Sequence, residues 1–123
     1  MKKTNRAIVV LFLTLAATTN CVFADEALNA FDKLDEAARS GSVDAQRSLG
    51  DAYYLGQGTR KDYTQAREWY AKAARQGDSE AQHNLGDIYH LGQGVSKDSS
   101  QAAYWYEKAC DSGIQMACES LEE

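Results

Sequence analysis

The sequence repeats itself with a period of 36 residues. When the chain is aligned with itself at that spacing, residues 45–80 and 81–116 are identical at 19 of 36 positions. The shared positions are spread through the repeat and differ in chemistry, so low complexity does not explain them. A fixed period of this size is typical of a solenoid, in which each unit buries its apolar face only against its neighbours.

Weaker copies of the pattern flank the two full repeats. Residues 27–41 match the second half of a repeat, and residues 113–121 match the beginning of the next one. We therefore expect a single repeat domain over residues 25–123, with two full repeats between two half-repeats.

Each full repeat is predicted to hold two helices, which we call helix A and helix B. Helix A covers residues 43–54 in the first repeat, where apolar residues recur at helical spacing, and Gly56 follows as its C-terminal cap. Helix B begins after Asp62, which forms a capping-box pattern with Gln65, and ends at Gly77. The second repeat has the same features 36 residues later. The sequence thus predicts an all-α fold, an α/α superhelix of antiparallel helix pairs.

These repeats resemble the Sel1-like repeat, a relative of the tetratricopeptide repeat. The stretch Leu-Gly-x-x-Tyr-x-x-Gly-x-Gly occurs at residues 49–58 and 85–94, and Asp-x-x-x-Ala-x-x-Trp-Tyr-x-Lys-Ala occurs at residues 62–73 and 98–109. The resemblance covers essentially all of residues 27–121. It implies a superhelix that serves as an adaptor or protein-binding scaffold. It implies no active site, because the family has no universal catalytic residue.

The first 24 residues have the layout of a secretory signal peptide. Basic residues lie within the first six positions, residues 7–17 are uncharged and mostly apolar, and Val22 and Ala24 are small residues where a signal peptidase reads. This apolar run is shorter than the roughly 20 residues that span a bilayer. We expect cleavage after Ala24, no stable membrane insertion afterwards, and a periplasmic or secreted protein. The alternatives are an uncleaved anchor and a lipoprotein acylated at Cys21, although Asn20 precedes it where a small residue is expected.

Charge argues against nucleic acid as a partner. Three of the 13 basic residues precede the predicted cleavage site, whereas all 18 acidic residues follow it, which leaves ten basic residues and a net charge of −8. A chain this acidic repels phosphate backbones.

The cysteines predict one disulfide. Cleavage removes Cys21 and leaves Cys110 and Cys118, an even number in an exported chain. The two lie on either side of Gly113, so a bridge would join helix B to the next helix A if the Cα atoms lie within roughly 7 Å. Cysteine-rich secreted members of the Sel1-like repeat family have a similar pair of cysteines, so the resemblance also implies a disulfide. A reactive dithiol is the alternative, but the spacing is not Cys-x-x-Cys.

One stripe of helix A, here called the A-stripe, carries the candidate partner-binding residues. Its members are Arg47, Asp51, Tyr54, His83, Asp87 and His90. Positions 83, 87 and 90 fall within about 60° on one helical face, which we expect to be exposed to solvent opposite the packed side. Because concave solenoid surfaces bind partners, this face is predicted to contact another protein. Zinc held by the two histidines and Asp87 is the weaker alternative, so we predict no metal and no cofactor.

Three tyrosines break the internal register. Core residues should repeat, whereas recognition residues need not. Tyr54, Tyr63 and Tyr104, together with Arg47 and His83, are therefore the stronger candidates for partner contacts. Tolerated surface tyrosines are the alternative.

The function predicted from the sequence is a non-enzymatic protein-binding adaptor or regulator of the bacterial envelope. An inhibitor, an immunity partner and a host-interaction factor are roles of this kind. No catalytic residue is predicted, because no Ser- or Cys-centred motif surrounds the two histidines. The alternative is a secreted enzyme that is metal-dependent or that binds or hydrolyses β-lactams, although Ser-x-x-Lys is absent. A peptidoglycan-binding module is a third possibility that no specific residue supports.

Overall fold

A computed structural model describes residues 29–123, and this part of the chain forms six helices and no strand. The helices are α1 (29–39), α2 (Val43–Leu55), α3 (Tyr63–Arg75), α4 (Ser79–Leu91), α5 (Ser99–Asp111) and α6 (Gln115–Glu122). Helices α2 and α3 are helix A and helix B of the first repeat, and α4 and α5 are those of the second. From α2 onwards each helix packs against the next. The all-α superhelix predicted from the period is confirmed.

The predicted signal peptide lies outside the described residues, as do the cleavage site after Ala24 and Cys21. Between residues 29 and 123, no helix is long and apolar enough to cross a membrane.

The helix ends follow the predicted caps, with one difference. Gly56 has a positive φ of 72° and its N–H donates to the carbonyl of Ala52, as a left-handed C-terminal cap requires. The Asp62 side chain accepts from the N–H of Gln65, which is one half of a capping box. The other half is replaced, because the N–H of Asp62 donates to the carbonyl of Tyr53 at 2.9 Å. This bond ties the start of helix B to helix A.

The hydrophobic core is a row of three clusters along the array. The first contains Ala38, Leu49 and Trp69, and therefore joins α1, α2 and α3. The second joins α3, α4 and α5 around Leu85, and the third joins α5 and α6. Each helix thus contributes to a local cluster rather than to one central core, as expected of a quasi-one-dimensional repeat protein.

A tyrosine of helix B packs closely against a glycine of helix A in both repeats. A Cβ atom built on Gly50 would lie 2.6 Å from ring carbons of Tyr70, and one on Gly86 would lie 2.6 Å from those of Tyr106. Both tyrosines are buried. The two glycines are therefore required for close helix approach, although neither has a positive φ.

A buried glutamine joins each repeat to the helix before it. Gln46 Nε2 donates to the carbonyl of Ala38 at 3.1 Å, and Gln82 Nε2 donates to the carbonyl of Ala74 at the same distance. In both cases the donor lies eight residues after the acceptor.

At the third junction a disulfide takes the place of this hydrogen bond. Cys118 stands where the earlier junctions have glutamine, Cys110 stands where they have alanine, and the two form a disulfide with their Cα atoms 4.8 Å apart. The predicted cross-link between helix B and the next helix A is confirmed. The register shows that it replaces a polar contact that the other junctions keep.

The second glutamine lacks one hydrogen bond that the first has. Gln46 Oε1 accepts from Gln76 Nε2 at 2.6 Å, whereas Gln82 Oε1 is buried and has no partner among residues 29–123. The residue one period after Gln76 is Ser112, which is too short to donate in the same way.

Replacing Ser112 by glutamine is therefore expected to stabilise the protein. A donor for Gln82 Oε1 should raise the free energy of unfolding by about 1 kcal/mol, because a buried acceptor without a partner is costly. Denaturant titration measures the difference. Ser112→Met is the matched control, since it has similar length and no donor. Equal stability of the two variants would contradict the assignment.

Candidate functional site

The basic member of the A-stripe is neutralised within the fold. Arg47 lies on α2, and its guanidinium is 3.2 Å from Asp78 Oδ1 and 2.9 Å from Glu80 Oε2. Asp78 is also the N-cap of α4. Arg47 thus links helix A of the first repeat to helix A of the second by ion pairs. The two carboxylates largely neutralise its charge before any partner binds.

The acidic members of the A-stripe lie closer to the packed side than the sequence suggested. The hydroxyl of Tyr70 donates to Asp51 Oδ1 at 2.6 Å, and that of Tyr106 donates to Asp87 Oδ1 at 2.6 Å. Each aspartate directly follows the glycine on which the tyrosine ring lies, so the hydroxyl reaches the next residue of helix A. Both aspartates are only partly exposed to solvent.

The two buried tyrosines should make the fold sensitive to alkali. Burial, and then the hydrogen bond to aspartate, raise the pKa of Tyr70 and Tyr106 well above the ordinary value of 10.0. The folded state therefore keeps protons that the unfolded state releases, so this contribution to stability is intact below pH 10 and falls as the pH rises above it.

An ultraviolet titration of phenolate absorbance checks this expectation. Of the seven tyrosines, Tyr70 and Tyr106 should ionise only as the protein unfolds. The variant Tyr70→Phe removes one late-titrating group and is the control. If the phenolate absorbance of all tyrosines rose in a single transition near pH 10 while the fold stayed intact, the raised pKa of Tyr70 and Tyr106 would be contradicted.

Tyr54 joins the two repeats. Its hydroxyl donates to Gln93 Oε1 at 3.0 Å, and its ring centroid lies 5.2 Å from that of Tyr63. Two of the three tyrosines that break the register are therefore neighbours. The third, Tyr104, lies on α5 with its ring against Trp105 and is half exposed, so it is not part of the same surface.

The two histidines lie around the ring of Tyr106. His83 Nδ1 is 3.8 Å from Asp87 Oδ2. The centroid of the Tyr106 ring lies 5.8 Å from that of the His83 ring and 6.4 Å from that of the His90 ring. Within the described part of the chain, no group of three or more histidine, cysteine or acidic residues is placed to hold a metal ion. The cysteines of this part are both joined in the disulfide.

Three A-stripe residues meet in a cleft between the repeats, here called the A-cleft. It has a volume of about 230 Å³ and is lined by Asp51, Tyr54, Leu55, Tyr70, Asn84 and Asp87. Helix A of both repeats supplies the walls and Tyr70 of helix B lies between them. The A-cleft joins residues 36 apart in the sequence into one surface.

Sequence reasoning missed three of the lining residues. Asn84 stands where the first repeat has Ser48, so the rule that recognition residues need not repeat would have found it. Leu55 repeats as Leu91, so the same rule does not select it, yet it is 59% exposed. Tyr70 repeats as Tyr106 and is buried, as a core residue would be, yet it also lines the A-cleft.

A family model described as the Sel1 repeat matches residues 43–78 and 79–114. These boundaries share the period inferred from the sequence and begin two residues earlier, where the A helices start. The two matches together cover more than half of the chain. No curated protein sequence matches the chain.

Several solved structures are similar to this chain. A protective antigen of uropathogenic Escherichia coli with an SLR fold is 35% identical to this chain, with a TM-score of 0.75. The match covers 76% of this chain and 20% of the antigen. This chain thus spans about a fifth of the antigen. A Sel1 repeat protein from Oxalobacter formigenes is 43% identical, with a TM-score of 0.70 over 72% and 67%. Cysteine rich protein B of Helicobacter pylori is 36% identical, with a TM-score of 0.70 over 74% and 68%.

Sel1 repeat proteins generally mediate protein–protein interactions and are typically non-enzymatic scaffolds. The two repeats, the helix pairing and the similar structures agree on one assignment. The chain belongs to the Sel1 repeat family.

Proposed function

We propose that this protein is an exported, non-enzymatic adaptor or regulator of the bacterial envelope that binds another protein through the A-stripe. The observation that carries the proposal is the A-cleft, in which side chains of two successive repeats converge. Tyr54 lies in the A-cleft and breaks the register. Asn84 also lines the A-cleft and differs from its counterpart Ser48. Two non-repeating residues on a repeating scaffold suit recognition of one particular partner.

Export is supported by the disulfide. Disulfides persist in oxidising compartments such as the periplasm and are rare in the cytosol. Two similar proteins are described as a protective antigen and as a cysteine rich protein. An inhibitor, an immunity partner and a host-interaction factor are the roles that fit an exported binding module of this size.

Affinity capture tests the proposal. The disulfide-bonded protein, produced from the full chain, is immobilised and exposed to extracts of the bacterial envelope. We expect a stoichiometric protein in the eluate. Recovery should fall at least about tenfold, a loss of about 1.4 kcal/mol, when four residues of the A-stripe are neutralised together. In this fourfold variant Asp51 and Asp87 are replaced by asparagine, and Arg47 and His83 by glutamine.

The matched control is Tyr104→Ala. Tyr104 is exposed to a similar degree as the rim of the A-cleft but lies on α5, away from it. The control should bind as the unmodified protein does. Capture of no stoichiometric protein would overturn the proposed function, and equal capture by the fourfold variant would overturn the proposed surface.

A further inference from the structure

The A-cleft contains two carboxylates that are held in fixed orientations. In Asp51 and Asp87, Oδ1 accepts from a tyrosine hydroxyl at 2.6 Å, which leaves Oδ2 free of that bond. Asp87 Oδ2 is 3.8 Å from a nitrogen of His83, while Asp51 forms no ion pair with any of residues 29–123. The oriented carboxylates are ready acceptors for a charged donor.

Two basic side chains on segments that neighbour the A-cleft are engaged elsewhere. Arg47 is on the same helix as Asp51 but pairs with Asp78 and Glu80. Lys61 places its Nζ 5.0 Å from the centre of the Tyr63 ring. Neither side chain lines the A-cleft. Its two negative charges are therefore not compensated by a lysine or arginine in its lining.

Apart from Asn84, the rest of the lining is apolar or aromatic. Leu55 is 59% exposed at the rim, and the rings of Tyr54 and Tyr70 lie 6.5 Å apart. Long basic side chains bury a hydrocarbon stem and present a charged head. The stem would match the apolar and aromatic residues, and the head would match the carboxylates. Aromatic rings also attract cations. A volume of about 230 Å³ is below the range of whole small-molecule sites but is adequate for one side chain.

We propose that the A-cleft binds a lysine or arginine side chain from an extended, basic segment of the partner protein. The charged head lies between Asp51 and Asp87, and the stem lies against Leu55 and Tyr54. Asn84 supplies a further polar group beside the head. This inference rests on the proposed function, because it names the chemistry of the partner at the same surface.

Titration with blocked amino acids, followed by NMR of the isotope-labelled protein, tests the proposal. The probes are N-acetyl-arginine methylamide and N-acetyl-lysine methylamide. The neutral controls are the citrulline and norleucine analogues, which keep the shape without the charge. We expect the two cationic probes to shift the resonances of Asp51, Asn84 and Asp87, and to bind at least about tenfold more tightly than the controls. Added salt should weaken the binding.

Variants locate the site. Asp51→Asn and Asp87→Asn keep an oxygen that accepts from the tyrosine hydroxyl, so the fold should remain, and unfolding curves verify this. Each should weaken the cationic probes at least about tenfold. Asp44→Asn is the matched control, because its side chain is 87% exposed on the same α2 and outside the A-cleft. It should leave binding unchanged.

The outcomes separate this proposal from the proposed function. Equal binding of cationic and neutral probes, or no change in Asp51→Asn and Asp87→Asn, overturns the basic-segment proposal. A captured protein whose binding survives both substitutions also overturns it and leaves the adaptor function standing. Binding of the cationic probes at the A-cleft supports recognition of a basic side chain even if no envelope protein is captured. Failure to capture a protein would count against the proposed function alone.

Discussion

Replacing Gly50 by alanine is expected to lower the free energy of unfolding by about 2–3 kcal/mol. In an ordinary helix the same change would stabilise the protein by about 1 kcal/mol, because alanine favours helix. Here the new Cβ would lie 2.6 Å from two ring carbons of Tyr70. The ring is buried and its hydroxyl is held by Asp51, so it cannot move aside cheaply. Denaturant unfolding of the disulfide-bonded protein measures the loss.

A double-variant cycle isolates the cause. When Tyr70 is first replaced by leucine, the space over Gly50 opens, so Gly50→Ala should then cost less than about 1 kcal/mol or become stabilising. A loss of equal size with and without the tyrosine would show that ring contact is not the reason. Gly86→Ala should behave in the same way in the second repeat, where Tyr106 covers the glycine.

Loss of the disulfide is expected to cost about 2–3 kcal/mol and to release the end of the array. Helix α6 has eight residues, no side-chain cap at its N-terminus and one buried residue, Ala117. Met116 is 64% exposed. Apart from the cross-link, α6 is held against α5 mainly by Ala117, its one member of the third core cluster. In the variant with serine at both Cys110 and Cys118, amide hydrogen exchange should accelerate in α6 while α2 stays protected.

A second variant tests what the cross-link replaces. Cys110→Ala with Cys118→Gln recreates the pair found at the earlier junctions, where glutamine donates to a carbonyl eight residues before it. It should recover about 1 kcal/mol relative to the double serine variant. Equal stability of the two variants would mean that the third junction does not share the geometry of the others.

The repeat period determined most of the fold. Identity at 19 of 36 positions predicted the helix pairs, the caps at Asp62 and Gly56, and the junction at which the cysteines meet. These features depend on local spacing, which the sequence displays directly. The capping box was only half formed because the N–H of Asp62 bonds to Tyr53, a contact between helices that local pattern does not reveal.

The candidate site was predicted less completely, since its shape depends on the approach of helices. Sequence periodicity placed Asp51 and Asp87 on one stripe, but not the tyrosine hydroxyls that reach them across the glycines. It gave no sign that Tyr70 borders the stripe, because Tyr70 repeats as Tyr106 and core residues are expected to repeat. Tyr54 and Tyr63 are neighbours only because the two repeats stack, whereas Tyr104 broke the register without joining them.

The footprint of the captured partner tests the central claim most directly. Amide hydrogen exchange of the complex, compared with that of the free protein, reports which helices become protected. We predict added protection in α2 and α4, centred on Asp51 to Leu55 and on Asn84 to Asp87. Protection confined to α3 and α5, with α2 and α4 unchanged, would contradict the assignment of the A-stripe as the working surface.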